Sequence, residues 1–259
     1  MQSKSIKSIL KVGNIVDVLS SSPEPLSLAA LAKSTGLVKS TLHGLVSTLV
    51  EIGYVEQVPD NGYYQLGIRL FEIGNSISNK WNEKRIAYPY MQEIVEKTGE
   101  TVHMAILSDG EVLYIEKLES SRSIQIVTAS GVKLPAYCTG LGKALMSNLP
   151  TEDIKRICQA TGFVQHTENT IMSCEALMAE LAVIRDRGYS VDEQEFMIGL
   201  RCIAVPIYNH FEKVVAAISI AAPLSRMQGE RFELYKELLM SAGQQISARL
   251  GYKVSAESR

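Results

Sequence analysis

The sequence has few cysteines and no long apolar run. Four cysteines occur in 259 residues, and their spacing matches neither a CxxC pair nor a cysteine–histidine metal cluster. We therefore expect neither disulfide bonds nor a metal site. No apolar segment reaches the roughly 18–20 residues that cross a bilayer. The first ten residues also lack the apolar core of a signal peptide, so we expect a cytoplasmic protein.

The sequence also lacks an excess of basic residues over acidic ones. The chain has 26 lysines and arginines against 28 acidic residues. Residues 1–66 hold five lysines and five acids. Overall charge therefore does not indicate a nucleic-acid-binding protein. If the N-terminal segment binds DNA, its basic groups must lie on one face.

What the N-terminal segment does contain is three short helical patterns. Apolar residues at helical spacing between residues 6 and 19 predict the first helix. Ser27 is the expected N-cap of the second helix, and Gly36 its left-handed end. A third apolar stripe runs through residues 42–49. Two short helices joined by a tight glycine turn also occur as plain helix packing, so these patterns alone leave the function open.

The polar face of the third helix points to DNA. Its side chains are short hydroxyls, one imidazole and one amine, whereas a merely solvated face is usually rich in Glu, Lys and Gln. Short hydroxyls allow close approach to phosphates or base edges, and a lysine adds charge attraction. The predicted DNA-binding residues are Lys39, Ser40, Thr41, His43 and Ser47.

A β-hairpin follows the three helices. Residues 54–58 and 63–66 alternate as strands, and the Pro-Asp-Asn-Gly turn at 59–62 joins them. Three helices followed by a hairpin is the order of a winged helix-turn-helix, in which the third helix enters the major groove. The balanced charge leaves open the alternative that this module binds a protein.

The rest of the chain predicts a linker helix and a larger α+β domain. Five strands and four helices are expected, and such a mixture is typical of helices packed on an antiparallel sheet. The predicted strands are 101–107, 112–117, 124–127, 202–207 and 214–220, and the helices lie near 87–99, 152–160, 175–187 and 232–250. The predicted domains are residues 1–66 (winged helix), 67–86 (linker helix) and 87–259.

A catalytic pattern is not evident. His103, His166 and His210 stand apart from any nucleophile or carboxylate pattern. The glycines of residues 140–143 lack the spacing of a phosphate loop. We expect no catalytic residues and no cofactor, and an enzyme with Cys202 as nucleophile is the less favoured alternative. Two glycines that open a helix would still leave N–H groups free for a small carboxylate.

Several segments together resemble one family. Residues 28–54, with Lys-Ser-Thr at 39–41, resemble the DNA-binding domain of the IclR family of bacterial transcription regulators. Four later segments resemble consecutive motifs of its effector-binding domain, which has a GAF-like fold: residues 135–144, 188–195, 199–206 and 216–223. The resemblance spans about residues 5–251 and is greatest to the KdgR-like subgroup, which controls sugar-acid catabolism.

The resemblance implies a function and a ligand site. It implies a transcription regulator whose operator binding responds to a small organic acid, namely a sugar acid or a keto acid. A repressor is the favoured interpretation, and an activator is the alternative. The backbone amides of Gly140 and Leu141 would hold the carboxylate, and Asp192 would accept from a ligand hydroxyl or hold a water. The remaining implied effector-binding residues are Cys202, Ser219, Ile126, Leu134 and Leu200. For Cys202 and for Ser219 taken alone, packing of a small residue inside a strand explains the residue as well as effector binding does.

The resemblance also implies an assembly. Members form dimers through the DNA-binding half, which pair into tetramers through the effector half. The first helix and the linker helix carry more apolar residues than one small domain can cover. We therefore expect a homodimer or a dimer of dimers.

Overall fold

The structure is a computed structural model that describes residues 5–119 and 130–253. The chain divides into two compact units between Trp81 and Asn82. The predicted strand at 124–127 and the predicted site residue Ile126 lie outside the described residues. Within the described ranges, no helix is long and apolar enough to cross a membrane.

The first unit has the predicted order of three helices and a hairpin, followed by one more helix. Its elements are α1 (Lys7–Ser20), α2 (Leu28–Thr35), α3 (Lys39–Glu51), β1 (Val55–Gln57), β2 (Tyr64–Leu66) and α4 (Ile68–Lys80). The Ser27 side chain accepts from the Ala30 amide at 3.2 Å, and Gly36 ends α2 with φ 69°. Both predicted caps are confirmed. β1 and β2 pair antiparallel.

The apolar residues of α1 are only partly covered by the rest of the unit. The core of the first unit contains Ile15 and Leu19 from α1, packed with residues from α2, α3 and the hairpin. Ile6, Ile9 and Leu10 are 62%, 63% and 61% exposed. The predicted helix is confirmed, and these three residues lie outside the core of the unit.

The second unit is an antiparallel sheet with helices on both faces. Its elements are α5 (Asn82–Thr98), β3 (Thr101–Ser108), β4 (Glu111–Leu118), β5 (Lys133–Pro135), α6 (Gly140–Met146), α7 (Thr151–Thr161), α8 (Cys174–Arg187), β6 (Ser190–Glu193), β7 (Leu200–Tyr208), β8 (Val214–Pro223) and α9 (Gly229–Arg249). The strand order is β5-β4-β3-β8-β7-β6. The predicted α+β class with an antiparallel sheet is confirmed. The predicted domain limit at residues 86 and 87 falls inside α5, and the limits stay a prediction.

The two faces of the sheet differ in side-chain size. On one face α5 and α9 pack together against large residues such as Ile218 and Ile220, which alternate along β8 with Ala217 and Ser219. The other face carries small residues, and α6 lies on it with all seven of its residues buried. A Cβ on Gly142 would lie 2.2 Å from the Ala136 carbonyl oxygen. Only glycine therefore allows α6 to begin so close to the preceding chain.

Candidate functional site

The outer face of α3 presents the predicted DNA-binding residues. Lys39, Ser40, His43 and Ser47 are exposed, and Thr41 is half-buried at the margin of this face. The opposite face, with Leu42, Val46 and Leu49, is buried in the core of the unit. In the described part of the chain, the five outer side chains form no hydrogen bond or ion pair with other protein groups. They are therefore available to an external partner, and their role in DNA binding stays a prediction.

Gly44 lies in the middle of the same outer face. A Cβ at this position would meet nothing within 4 Å, so packing inside the unit does not require glycine here. Glycine in a helix interior costs roughly 0.5–1 kcal/mol relative to alanine. The Thr48 hydroxyl bonds back to the Gly44 carbonyl at 3.0 Å. The helix therefore offers a flat strip of surface that another backbone can approach closely.

The effector residues predicted from distant motifs meet beneath α6. In the sheet register, Asp192 on β6 lies opposite Cys202 on β7, and Ser219 on β8 lies opposite Ala204, two residues from Cys202. A Cβ built on Gly140, the first residue of α6, would lie 3.4 Å from the Cys202 sulfur. Gly140, Leu141, Asp192, Cys202 and Ser219 are all buried. The structure thus brings together five residues that are spread over about 80 positions.

The predicted apolar walls lie at the edges of this cluster. Leu134 on β5 is half-buried and packs against the core cluster that contains Leu141. Leu200 is half-buried and lies on the same face of β7 as Cys202, two residues away. In the first turn of α6, the Gly142 amide donates a hydrogen bond to the Thr139 hydroxyl at 3.2 Å. The amides of Gly140 and Leu141 have no acceptor within the helix.

A buried ion pair that the sequence reasoning missed lies next to the cluster. The Lys143 amine of α6 donates to the Val191 carbonyl at 2.6 Å and pairs with Glu195, which follows β6. Lys143 is 1% exposed and Glu195 6%. Burial raises the pKa of Glu195. Within the described ranges, the second carboxylate oxygen of Glu195 has no hydrogen-bond partner.

Asp192 is the second buried acid of the site. Its Oδ1 accepts from the Glu195 amide at 2.7 Å, and the side chain is shielded from solvent. Burial raises the pKa of Asp192 to about 7, with a smaller contribution in the same direction from the nearby Glu195 charge. The carboxyl group of Asp192 is therefore partly protonated at neutral pH.

The Ser219 hydroxyl is fully buried and forms no hydrogen bond to an oxygen or nitrogen in the part of the chain that the structure describes. It faces the Cys202 sulfur, toward which it acts only as a weak donor. Leaving a buried hydroxyl unpaired costs about 1–3 kcal/mol. Its neighbour across the β3–β8 pairing is His103, whose ring meets Tyr114 edge-on at 5.2 Å. Burial lowers the pKa of His103 to about 3, so this imidazole is neutral. The sequence reasoning treated His103 only as an isolated histidine.

The chemistry of Cys202 does not favour a nucleophile. Burial raises the pKa of its thiol to about 12. The thiolate, which is the reactive form, is therefore scarce at neutral pH. Cys138, just before α6, has its pKa raised to about 12 by burial as well. Both thiols are therefore neutral at pH 7, and the role of Cys202 in effector binding stays a prediction.

A separate cleft of about 230 Å³ lies between α9 and β7. Val205, Met240 and Tyr252 contribute to its lining. It contains none of the predicted effector residues, and its walls are mainly apolar. The buried charged groups Lys143, Asp192 and Glu195 lie in or next to α6 and not at this cleft, where Ser247 is a buried polar residue.

Two family models match the chain. The model of the IclR helix-turn-helix domain matches residues 8–59, which cover the three helices and the start of the hairpin. The model of the bacterial transcriptional regulator IclR C-terminal domain matches residues 78–248, which contain the whole candidate effector cluster.

Relatives match over nearly the whole length. The chain is 35% identical to the HTH-type transcriptional regulator XynR of Escherichia coli over 95% of this chain and 98% of that protein. It is 34% identical to the regulator KdgR of E. coli, covering 97% and 95%. The crystal structure of the Thermotoga maritima IclR matches with a TM-score of 0.76 and 31% identity, covering 96% of this chain and all of that one.

Proposed function

The chain belongs to the IclR family of bacterial transcription regulators, and we propose that it is a repressor that reads its operator with α3 and responds to a small organic acid beneath α6. It has the family's helix-turn-helix and effector-binding domains. We propose that it acts in the cytoplasm and is not an enzyme. The neutral, buried thiol of Cys202 supports the latter proposal.

The proposed effector is a sugar acid or keto acid that is held by its carboxylate group. The observation that carries this proposal is the fully buried hydroxyl of Ser219, which forms no hydrogen bond to an oxygen or nitrogen of the described residues. It faces the Cys202 thiol, which lies next to the start of α6. A ligand hydroxyl or keto oxygen would complete its hydrogen bonding. The first amides of α6 suit a carboxylate, because N–H groups at a helix start have no internal acceptor.

Replacing Asp192 or Ser219 with alanine should weaken effector binding. Each change should cost about 1–3 kcal/mol of binding free energy, because a ligand polar group loses its buried partner. Isothermal calorimetry with gluconate, galacturonate and pyruvate, and with glucose and galactose as neutral compounds, measures the effect. Ser241→Ala on the exposed face of α9 is the matched control and should bind as the wild type does. A preference for neutral sugars, or unchanged binding by both site variants, would contradict the proposed site.

A gel-shift experiment with the chain's own upstream DNA tests the regulator itself. Binding should weaken steeply as salt rises, because contacts to phosphates release counterions. Addition of the effector should change the affinity. Failure to bind this DNA even at low salt would favour the alternative of a protein-binding module.

The proposed assembly is a homodimer at least, formed through the first unit. Ile9 on α1 and Phe71 on α4 are 63% and 69% exposed, and neither is covered within its own unit. We expect light scattering at micromolar concentration to give a dimer or tetramer mass. Phe71→Asp should reduce that mass, whereas Asn75→Asp, an exposed polar position on the same helix, should not. A strictly monomeric wild-type mass would refute the assembly.

A further inference from the structure

The candidate effector site holds three buried ionisable side chains of which two already neutralise each other. Lys143, Asp192 and Glu195 are 1%, 3% and 6% exposed. The Lys143 amine is engaged by Glu195 and by the Val191 carbonyl. In the described part of the chain, Asp192 has no ion-pair partner of its own. Its charge, if present, would be a net buried negative charge.

The groups around Asp192 decide which form it takes. Glu195 adds a negative charge from the segment after β6, and Lys143 on α6 opposes it. Cys202 on β7, Cys138 before α6 and Tyr114 on β4 have raised pKa values, and they are neutral at pH 7. His103 on β3 is neutral as well.

Backbone amides provide the main support for the ionised form. The Glu195 amide bonds Oδ1, and the Phe196 amide acts in the same direction. Burial outweighs them and raises the pKa of Asp192 to about 7. A carboxylate ligand at the start of α6 would add a second negative charge next to Asp192. A second negative charge nearby disfavours the ionised form of Asp192 and so favours its protonated form.

We propose that Asp192 is protonated when the effector is bound, donates a hydrogen bond to it, and makes the site selective for monoanionic carboxylates. The inference rests on the proposed function, because it concerns the ligand of the same site. With Asp192 protonated and Glu195 neutralised by Lys143, the site has no net charge of its own, and we expect it to accept one negative charge from the ligand. A dianion would leave a second buried charge without a partner, which is strongly unfavourable.

The test is effector affinity as a function of pH. The probes are gluconate and galacturonate as monoanions, and glucarate and galactarate as the matching dianions. All four are ionised between about pH 5.5 and 8.5, so the ligands do not titrate. The monoanion Kd should be nearly constant at low pH and should rise about tenfold per pH unit once Asp192 loses its proton. At pH 8 the protein should take up a proton when the monoanion binds. The binding enthalpy measured by calorimetry should then depend on the ionisation enthalpy of the buffer.

Asp192→Asn is the decisive variant. Its amide oxygen can still accept from the Glu195 amide, and its NH2 group supplies a donor at every pH. We expect it to bind monoanions with no pH dependence. Asp186→Asn on the exposed face of α8 is the matched control and should keep the wild-type pH profile. Infrared difference spectra of wild type against Asp192→Asn should show a carboxylic acid band at pH 6 that is lost at pH 8.5.

The outcomes separate this inference from the proposed function. Monoanion affinity that is constant or rises with pH, or a preference for the dianions, would overturn the inference while leaving an effector site. A rising affinity would indicate the acceptor role for Asp192 that the sequence implies. Failure of every carboxylate to bind at any pH would reject the proposed effector function, and the inference with it.

Discussion

Replacing Lys143 with methionine should lower the free energy of unfolding by about 3–5 kcal/mol, because it leaves the buried Glu195 carboxylate without its cation. Methionine fills a similar volume, so the loss is electrostatic rather than a cavity effect. Chemical denaturation of the second unit, followed by circular dichroism, measures it. Burial already raises the pKa of Glu195. The variant's penalty should therefore shrink as the pH falls and Glu195 takes up a proton.

Two comparisons isolate the buried pair. The double change Lys143→Met with Glu195→Leu should recover most of the lost stability, because no unpaired charge remains. Lys155→Met removes an exposed pair with Glu152 on α7, at 3.3 Å, and should cost at most about 1 kcal/mol. Equal losses in the free energy of unfolding for Lys143→Met and Lys155→Met would show that the effect does not depend on burial of the pair.

The other large effect concerns operator binding. Ser47→Glu and Thr41→Glu should each abolish binding of the operator, because they place a negative charge on the outer face of α3 against the phosphates. Ser47 is exposed and outside the core, so the fold and the effector affinity should be unchanged. Fluorescence anisotropy with labelled upstream DNA measures binding, and thermal melting checks the fold.

Controls distinguish a specific contact from added charge alone. Ser20→Glu places the same charge on an exposed position of α1 and should reduce affinity far less. Ser47→Ala removes one hydroxyl and should cost about 1 kcal/mol or somewhat more if that hydroxyl contacts DNA. If Thr41→Glu and Ser47→Glu both bind normally, α3 is not the reading helix.

Local features of this fold could be predicted from the sequence because they depend on neighbouring residues. The Ser27 cap and the Gly36 end of α2 involve contacts within a few positions. The hairpin was predicted for the same reason, from alternation on either side of a Pro-Asp-Asn-Gly turn. Short elements without a strong period, such as β5 and β6, were not predicted as strands. Their three and four residues are too few to show alternation.

The membership of the effector cluster came from resemblance of motifs rather than from periodicity. Asp192, Cys202 and Ser219 lie on three strands, and no spacing rule relates them. The sheet register then places them on the face covered by α6. Lys143 and Glu195 also lie within two of these motifs, but the sequence predicts no role for either residue. The two residues are 52 positions apart in the chain, so no local sequence pattern predicts their pairing.

The sequence by itself therefore determined the order of helices and strands, the caps, the family resemblance and the candidate residues, since each depends on the local chain or on motif order. Tertiary structure alone decided which face of α1 is buried, that the Ser219 hydroxyl lacks an oxygen or nitrogen partner among the described residues, and that Lys143 neutralises Glu195 rather than Asp192. The physical reason is that burial and electrostatics depend on distances in space. Residues far apart in the chain set those distances only after the sheet and α6 have packed.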